Sequence, residues 1–172
     1  MRQILRTLGA VLLACGLALA GYNQQQDAAA VRASQTLVRC YTAPTVGDTQ
    51  PDTTQGVLEL PTLGLTLPVQ PTCTPSALQN GPCRQFGSAA QGDLVVAGHN
   101  YRSHFASLPQ LQPGDAVTFT DMDGTVFRYK VDSLETLSPY AISDMTSGGW
   151  PLTLFTCTVG GQSRLAIRCS VG

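Results

Sequence analysis

The sequence predicts an all-β domain, a barrel or a sandwich, behind an N-terminal membrane-targeting segment. Beyond residue 55 the apolar runs are short, and Pro, Gly or Asp-Gly separates them. Short strands bounded by turn residues are typical of these folds. Only two stretches there, 76–79 and 103–108, favour short helices. The predicted strands are 57–60, 65–69, 93–97, 116–120, 126–134, 152–158 and 164–171.

The N-terminus carries the targeting signal. Arg2 and Arg6 precede an apolar run at 8–20, and a positive flank before such a run keeps the N-terminus inside while the rest is translocated. The run is short for a membrane span of about 20 residues. Residues 18–20 resemble a signal-peptidase site, and 12–15 form a weak lipobox-like string. These patterns leave three alternatives: a retained span, a cleaved signal peptide and a lipoprotein signal. Under each of them, we expect the remaining chain at the extracellular face of the cell membrane.

Three regions follow from these patterns. Residues 1–22 are the expected signal or anchor segment, whether cleaved or retained. Residues 23–55 have no sustained periodicity, although 27–38 favour a helix, and their Thr, Pro, Gly and Asp content beyond 42 is typical of a linker or stalk. The folded domain is expected to occupy 56–172.

Composition excludes several classes of function. The net charge is −1 and no run of Lys or Arg occurs, so no nucleic-acid partner is expected. Charged residues make up 12% of the chain, well below the typical value of about 25%. No Cys-x-x-Cys or Cys/His cluster has the spacing of metal ligands, so neither a metal site nor a cofactor is predicted.

The last two predicted strands form a hairpin. A Gly-Gly pair at 160–161 favours a two-residue turn of positive φ. This turn pairs Val159 with Gln162 and Cys157 with Arg164. The side chains of Cys157 and Arg164 then lie opposite each other, with Cβ atoms about 5 Å apart.

Alternation places this pair on the outward face of the hairpin. A core-facing cysteine would be inert, whereas a cation beside a thiol stabilises the reactive thiolate. Cys157 is therefore a candidate nucleophile; the alternative is a surface cysteine that faces an arginine by chance. The predicted core face carries Leu152, Leu154, Thr156, Leu165, Ile167 and Cys169, and the outward face Thr153, Phe155, Cys157, Arg164, Ala166 and Arg168.

Two histidines are candidates for the proton partner of Cys157. His99 follows an apolar strand that ends in Gly98, and loops carried by rigid strands often hold catalytic groups. A cysteine nucleophile needs such a partner to protonate its leaving group. The neighbours of His104 predict an exposed polar turn, so His104 is the weaker candidate.

Six cysteines in an exported chain suggest disulfides. Cys73 and Cys83 enclose a short loop and are a possible pair. Cys169 is expected in the core opposite Leu152. A bond between Cys157 and Cys169 is disfavoured, because the register places them on opposite faces.

These motifs resemble the sortases, a family of Gram-positive surface cysteine transpeptidases, over most of 56–169. Each piece alone is weak, but their order behind a membrane-targeting segment is specific. The matching pieces are the opening strands at 57–69, the apolar-Ala-Gly-His strand at 93–99, Phe105 with Leu108, the Gly-Asp entry at 111–115, the Thr-Leu-x-Thr-Cys signature at 153–157, and Arg164 on the next strand.

The resemblance implies a closed eight-stranded barrel and assigns roles. Cys157 would be the nucleophile and His99 the acid that protonates the leaving amine. Arg164 would bind the substrate and stabilise the oxyanion. The expected substrate-binding residues are Ala97, Thr153 and Thr156.

The family also implies the substrates. Its members cut a sorting signal, often of the Leu-Pro-x-Thr-Gly type, through a thioacyl-enzyme. They then transfer the surface protein to an amine of a peptidoglycan precursor or of a pilin lysine. Two alternatives stay open: an extracellular Cys/His peptidase whose acyl-enzyme is resolved by water, and a non-catalytic surface domain stapled by disulfides. The short loop from Cys157 to Arg164 and the Cys73/Cys83 pair depart from the usual family pattern.

Overall fold

A curled sheet of eight strands occupies the C-terminal two thirds of the chain. The computed structural model describes residues 2–42, 55–146, 148–158 and 160–172, and the following elements belong to these ranges. The strands are β1 (Gly56–Leu60), β2 (Leu65–Val69), β3 (Cys83–Phe86), β4 (Leu94–Gly98), β5 (Ala116–Asp121), β6 (Val126–Leu137), β7 (Leu152–Cys157) and β8 (Arg164–Val171).

The strand order is β2-β1-β5-β6-β8-β7-β4-β3. Neighbouring strands are antiparallel except for the parallel pair of β4 and β7. The two edge strands meet through a bridge between Gln70 and Cys83. The Gln70 N–H donates to the Pro82 carbonyl at 2.9 Å, and the Arg84 N–H donates to the Gln70 carbonyl at 2.8 Å. The sheet is thus a nearly closed barrel, which confirms the predicted fold class.

A disulfide lies at this seam. Cys73 and Cys83 are bonded, with their Cα atoms 5.1 Å apart. Cys83 is in register with Ala97 of β4, so the bond ties the loop after β2 to the sheet near the end of β4. On the chain-entropy argument, a loop of this length contributes about 3 kcal/mol to stability.

Seven of the eight strands were predicted, with boundaries shifted by up to three residues. The missed strand is β3, whose four residues lie at a sheet edge and include the polar Arg84 and Gln85. Strand β6 extends beyond the predicted end at 134, because an irregularity between Val131 and Ser133 lets its pairing with β8 continue to Leu137.

Five of the six residues on the predicted core face of the hairpin are buried, and Leu165 is half-buried. Leu152, Leu154, Ile167 and Cys169 each have no exposed surface. Burying a side chain of leucine size contributes about 1.5–3 kcal/mol. The inward faces of β7 and β8 therefore hold this hairpin rigidly against the barrel interior.

Three α-helices lie among the described residues: α1 (Arg2–Thr42), α2 (Pro75–Asn80) and α3 (Ile142–Thr146). Helix α2 contains the predicted 76–79 helix, and its N-cap Thr74 hydroxyl accepts from the Ala77 N–H at 3.1 Å. The predicted 103–108 helix is instead a series of turns before the 3₁₀ helix Leu108–Gln110.

Helix α1 covers the expected signal or anchor segment and the predicted 27–38 helix. None of the helices in the described part of the chain combines the length and the apolar character that a membrane span requires. The predicted linker lies partly in this helix, and its residues 43–54 lie outside the described ranges.

Candidate active site

The turn between β7 and β8 places two chemically active side chains side by side. Cys157, the last residue of β7, is in register with Arg164, the first of β8, as the hairpin pattern predicted. Gly160 and Gly161 have φ values of 83° and 71°, and a residue with a side chain would be strained in this backbone conformation. The Gly161 N–H donates to the Thr158 carbonyl at 2.8 Å, so the tight turn begins one residue earlier than predicted. The other residue expected at the turn, Val159, lies outside the described ranges.

Two residues close this turn. The Thr158 N–H donates to the Ser163 carbonyl at 3.0 Å, and the two hydroxyls lie 2.9 Å apart. The Ser163 N–H in turn donates to the Thr158 hydroxyl at 3.2 Å. These bonds fix the short connection and hence the register of Cys157 and Arg164.

The two free cysteines of the barrel differ sharply. Cys157 is half-buried on the outward face. Cys169 is fully buried opposite Leu152, and burial, followed by the nearby charge of Asp132, raises the pKa of its thiol to about 12. Cys169 therefore stays protonated and inaccessible, whereas Cys157 can meet a substrate.

The Arg164 guanidinium is only lightly held. Its Nη1 donates to the carbonyls of Gly161 and Ser163 at 3.4 and 3.3 Å. Among the described residues, no carboxylate forms an ion pair with it. Since a guanidinium carries five N–H donors, Arg164 retains donors for a carbonyl oxygen or oxyanion beside Cys157.

The third predicted catalytic residue, His99, directly follows β4. The parallel register of β4 and β7 ends with Gly98 beside Thr156, so the next residues along the two strands are His99 and Cys157. Neighbouring strands lie about 4.8 Å apart. The sheet thus brings His99, Cys157 and Arg164 to the same ends of three adjacent strands, β4, β7 and β8.

The loop after β4 explains how His99 is held. A Cβ atom at Gly98 would overlap the ring of the buried Phe105, so only glycine lets the loop fold back onto the strand. The Phe105 N–H then donates to the His99 carbonyl at 3.0 Å. The imidazole stacks on Tyr101, with ring centroids 4.7 Å apart, and partial burial lowers the pKa of His99. The motif indicated His99 and Gly98, but not the supporting stack on Tyr101.

His104 lies in a different environment from the predicted exposed turn, and that prediction was wrong. The side chain has no exposed surface, and neither ring nitrogen has a hydrogen-bond partner among the described residues. Burial, followed by repulsion from a charged His99, lowers the pKa of His104 to about 4. The apolar Phe105 and Leu108, which are also fully buried, draw this turn into the core. His104 is therefore neutral and shielded from substrate.

The three expected substrate-binding residues occupy different places. Ala97 is 5% exposed and lies beside Phe155 in the sheet. Thr153 is 2% exposed, and its hydroxyl accepts from Arg168 Nη1 at 3.1 Å. Thr156 is buried on the core side, where its hydroxyl has no partner among the described residues. Substrate binding by all three stays a prediction.

A cleft of about 350 Å³ opens at Cys157. Thr156 and Thr158 line it on the β7 side. Its other walls are mainly apolar, from the loop after β4 and the start of β8, at Asn100, Phe105, Ala106, Pro109 and Leu165. The described residues contain no cluster of three or more His, Cys, Asp or Glu side chains that could hold a metal ion.

The family model of the sortase domain matches residues 58–171, which contain all of these groups. The chain belongs to the sortase family. Sortases are cysteine transpeptidases, so this is the general activity of the chain. Comparison with curated protein sequences gives no significant match.

Solved sortases share the fold. The Clostridium perfringens sortase D5 transpeptidase is 17% identical with a TM-score of 0.64, covering 82% of this chain and 96% of that protein. Sortase C-3 of Streptococcus pneumoniae is 23% identical with a TM-score of 0.64, covering 89% and 84%. The C. perfringens sortase C, solved with the C-terminal cell wall sorting motif, is 18% identical with a TM-score of 0.62, covering 86% and 88%.

Proposed function

We propose that this sortase cuts a C-terminal sorting signal of the Leu-Pro-x-Thr-Gly type and transfers the resulting acyl group to an amine. The observation that carries the proposal is the meeting of Cys157, His99 and Arg164 at the ends of three adjacent strands, beside an open cleft. The three residues supply a nucleophile, a proton carrier and a guanidinium with unused donors, and these groups serve acyl transfer.

The first half-reaction forms the thioacyl-enzyme. In the reacting state His99 holds the proton of Cys157, and the Cys157 thiolate attacks the scissile carbonyl carbon while the carbonyl π electrons move to oxygen. Arg164 donates hydrogen bonds to this oxyanion. The carbon–nitrogen bond then breaks as His99 gives a proton to the leaving nitrogen. The C-terminal fragment departs as an amine, and the surface protein remains on Cys157 as a thioester.

The second half-reaction reverses these roles. An acceptor amine attacks the thioester carbonyl and gives a proton to His99. The carbon–sulfur bond breaks, and the Cys157 thiolate leaves. The product is a new amide between the surface protein and the acceptor, either a peptidoglycan precursor or a pilin lysine. Support for the donor class comes from the related sortase C that was solved with a cell wall sorting motif.

We place this reaction at the extracellular face of the cell membrane. The support is the sequence pattern of Arg2 and Arg6 before the apolar run at 8–20, which directs the following domain outward. Substrates that carry a sorting signal are surface proteins, so an outward-facing catalytic domain meets them after export.

Intact-mass analysis tests the proposal. The full chain is incubated with a library of sorting peptides, with and without triglycine as the amine. We expect a thioester adduct that maps to Cys157 and an amide product that appears only when triglycine is added. Release of hydrolysed peptide alone would instead indicate a peptidase. No adduct together with no alkylation of Cys157 by iodoacetamide would indicate a non-catalytic domain.

A further inference from the structure

Arg168 is the most completely bonded side chain on the outward face of the hairpin. It is 3% exposed, and its Nε donates to Glu135 Oε2 of β6 at 3.0 Å. Its Nη1 donates to the Met145 carbonyl at 3.2 Å and to the Thr153 hydroxyl at 3.1 Å, while Nη2 donates to the Asp144 carbonyl. Four of the five guanidinium donors are therefore used.

Two of these acceptors belong to α3, in the connection between β6 and β7. Asp144 and Met145 lie in its last turn, where helix carbonyls lack partners within the helix and interact favourably with a cation. The Met145 side chain is also buried. Arg168 thus fastens α3 to the outward face of the sheet, while Glu135 fixes the guanidinium from β6.

This attachment divides the outward face into two parts. Phe155, Cys157 and Arg164 are half-buried, and the small Ala166, which pairs with Phe155, has no exposed surface. Thr153 and Arg168, farther from the turn, are 2% and 3% exposed, because α3 covers them. A peptide extending from Cys157 along the outward face of β7 would therefore meet the β6–β7 connection at Thr153 and Arg168.

We propose that Arg168 is a positioning residue, which holds the β6–β7 connection as the wall that binds the sorting peptide. The inference rests on the proposed function. Arg168 is four residues from Arg164 along β8, so their Cα atoms are about 13 Å apart. At that distance it acts on peptide binding through α3 and does not touch the reacting carbonyl.

The test uses variants of the full chain. Arg168→Met keeps much of the side-chain volume and removes every donor, whereas Arg168→Lys keeps the charge with fewer bonds. Glu135→Gln and Thr153→Val each remove one partner and serve if Arg168→Met does not fold. Arg128→Met is the matched control, because Arg128 is exposed on β6.

Two measurements are made on each variant. The first is amide hydrogen exchange in 138–151, which needs no substrate; the second is steady-state kinetics with a Leu-Pro-x-Thr-Gly-type peptide that acylates the wild-type chain. Arg168→Met should raise exchange in that segment about tenfold. It should also raise KM about tenfold and leave kcat within about threefold. Arg168→Lys should fall between Arg168→Met and the wild type, and Arg128→Met should match the wild type.

The outcomes separate the two proposals. Unchanged exchange in 138–151, or exchange raised equally across all strands, would overturn the positioning role. A fall in kcat with unchanged KM would overturn it as well. If Arg168→Met is unfolded, Glu135→Gln and Thr153→Val must loosen the same segment by smaller factors, and failure of both refutes the role. A wild-type chain that forms no acyl-enzyme refutes the proposed reaction, while the exchange data still decide whether Arg168 fastens the segment.

Discussion

The open end of the barrel and the covered parts of the domain contain the same three reactive residue types in opposite states. At the open end, Cys157 is accessible, Arg164 has unused donors, and His99 is stacked on Tyr101 with part of its surface exposed. In the covered region, Cys169, Arg168 and His104 are each at least 97% buried. The residue type therefore does not determine the role of these side chains. Their role depends on which hydrogen-bond donors and how much surface the neighbouring residues leave free.

The arginines show the energetic side of this difference. Arg168 has four acceptors around it, and removing one partner of a buried charged hydrogen bond typically costs about 1.5–3 kcal/mol. Among the described residues, Arg164 donates only to carbonyls of its own turn. A fully bonded guanidinium contributes to structure, whereas a lightly bonded one can bind a developing oxyanion.

The largest effect is expected from the cysteine pair. Cys157→Ala should abolish formation of the acyl-enzyme and leave the fold intact, because a half-exposed thiol contributes little packing. Cys169→Ala, on the adjacent strand, should remain active and lose about 1 kcal/mol of unfolding free energy, since it leaves a small cavity. Intact mass and urea unfolding of both variants make the comparison. Loss of acylation in Cys169→Ala with a native fold would reverse the assignment.

The next effect concerns Arg164. Arg164→Lys should lower kcat/KM by about 10²–10³, because a single ammonium does not reproduce a planar fork of donors at the oxyanion. Arg128→Lys, the same change on an exposed part of β6, should match the wild type. Near-normal turnover of Arg164→Lys would reduce its role to that of a diffuse positive charge.

The different surroundings of His99 and His104 lead to a prediction for the pH dependence of turnover. The turnover rate should follow a bell, whose limbs belong to the coupled Cys157 and His99 pair. Because burial lowers the pKa of His99 from 6.5, the midpoint of the acid limb should lie below pH 6.5. His99→Ala should remove both the bell and most of the rate. His104→Leu should keep the bell, and a bell that survives in His99→Ala but not in His104→Leu would exchange the two assignments.

The smallest effect is on stability. The pKa of His104 is lowered from 6.5 to about 4, so the unfolded chain binds a proton at a higher pH than the folded chain does. The contribution of His104 is thus complete above pH 6.5 and is lost as pH falls towards 4. Between pH 7.5 and pH 5, the wild type should lose about 2 kcal/mol more unfolding free energy than His104→Leu. Urea unfolding at the two pH values checks this, and parallel losses would contradict it.

Local sequence patterns predicted the residue positions at the open end of the barrel better than those in the covered parts of the domain. The turn glycines and the alternation of β7 and β8 predicted the register of Cys157 with Arg164, since these signals lie within one hairpin. The partners of Arg168 lie 15 to 33 residues away on β6, α3 and β7, and no local pattern brings them together. The burial of His104 was missed for the same reason, because it depends on how its turn packs into the core.

The comparison of the two arginines is tested most directly by measuring kcat and KM of Arg164→Met and Arg168→Met with one acylating sorting peptide. Arg164→Met should lower kcat by about 10²–10³, while its Cys157 is still alkylated by iodoacetamide. Arg168→Met should raise KM about tenfold with kcat nearly unchanged. Two variants with the same kinetic profile would contradict the division of the outward face into a reactive end and a structural end.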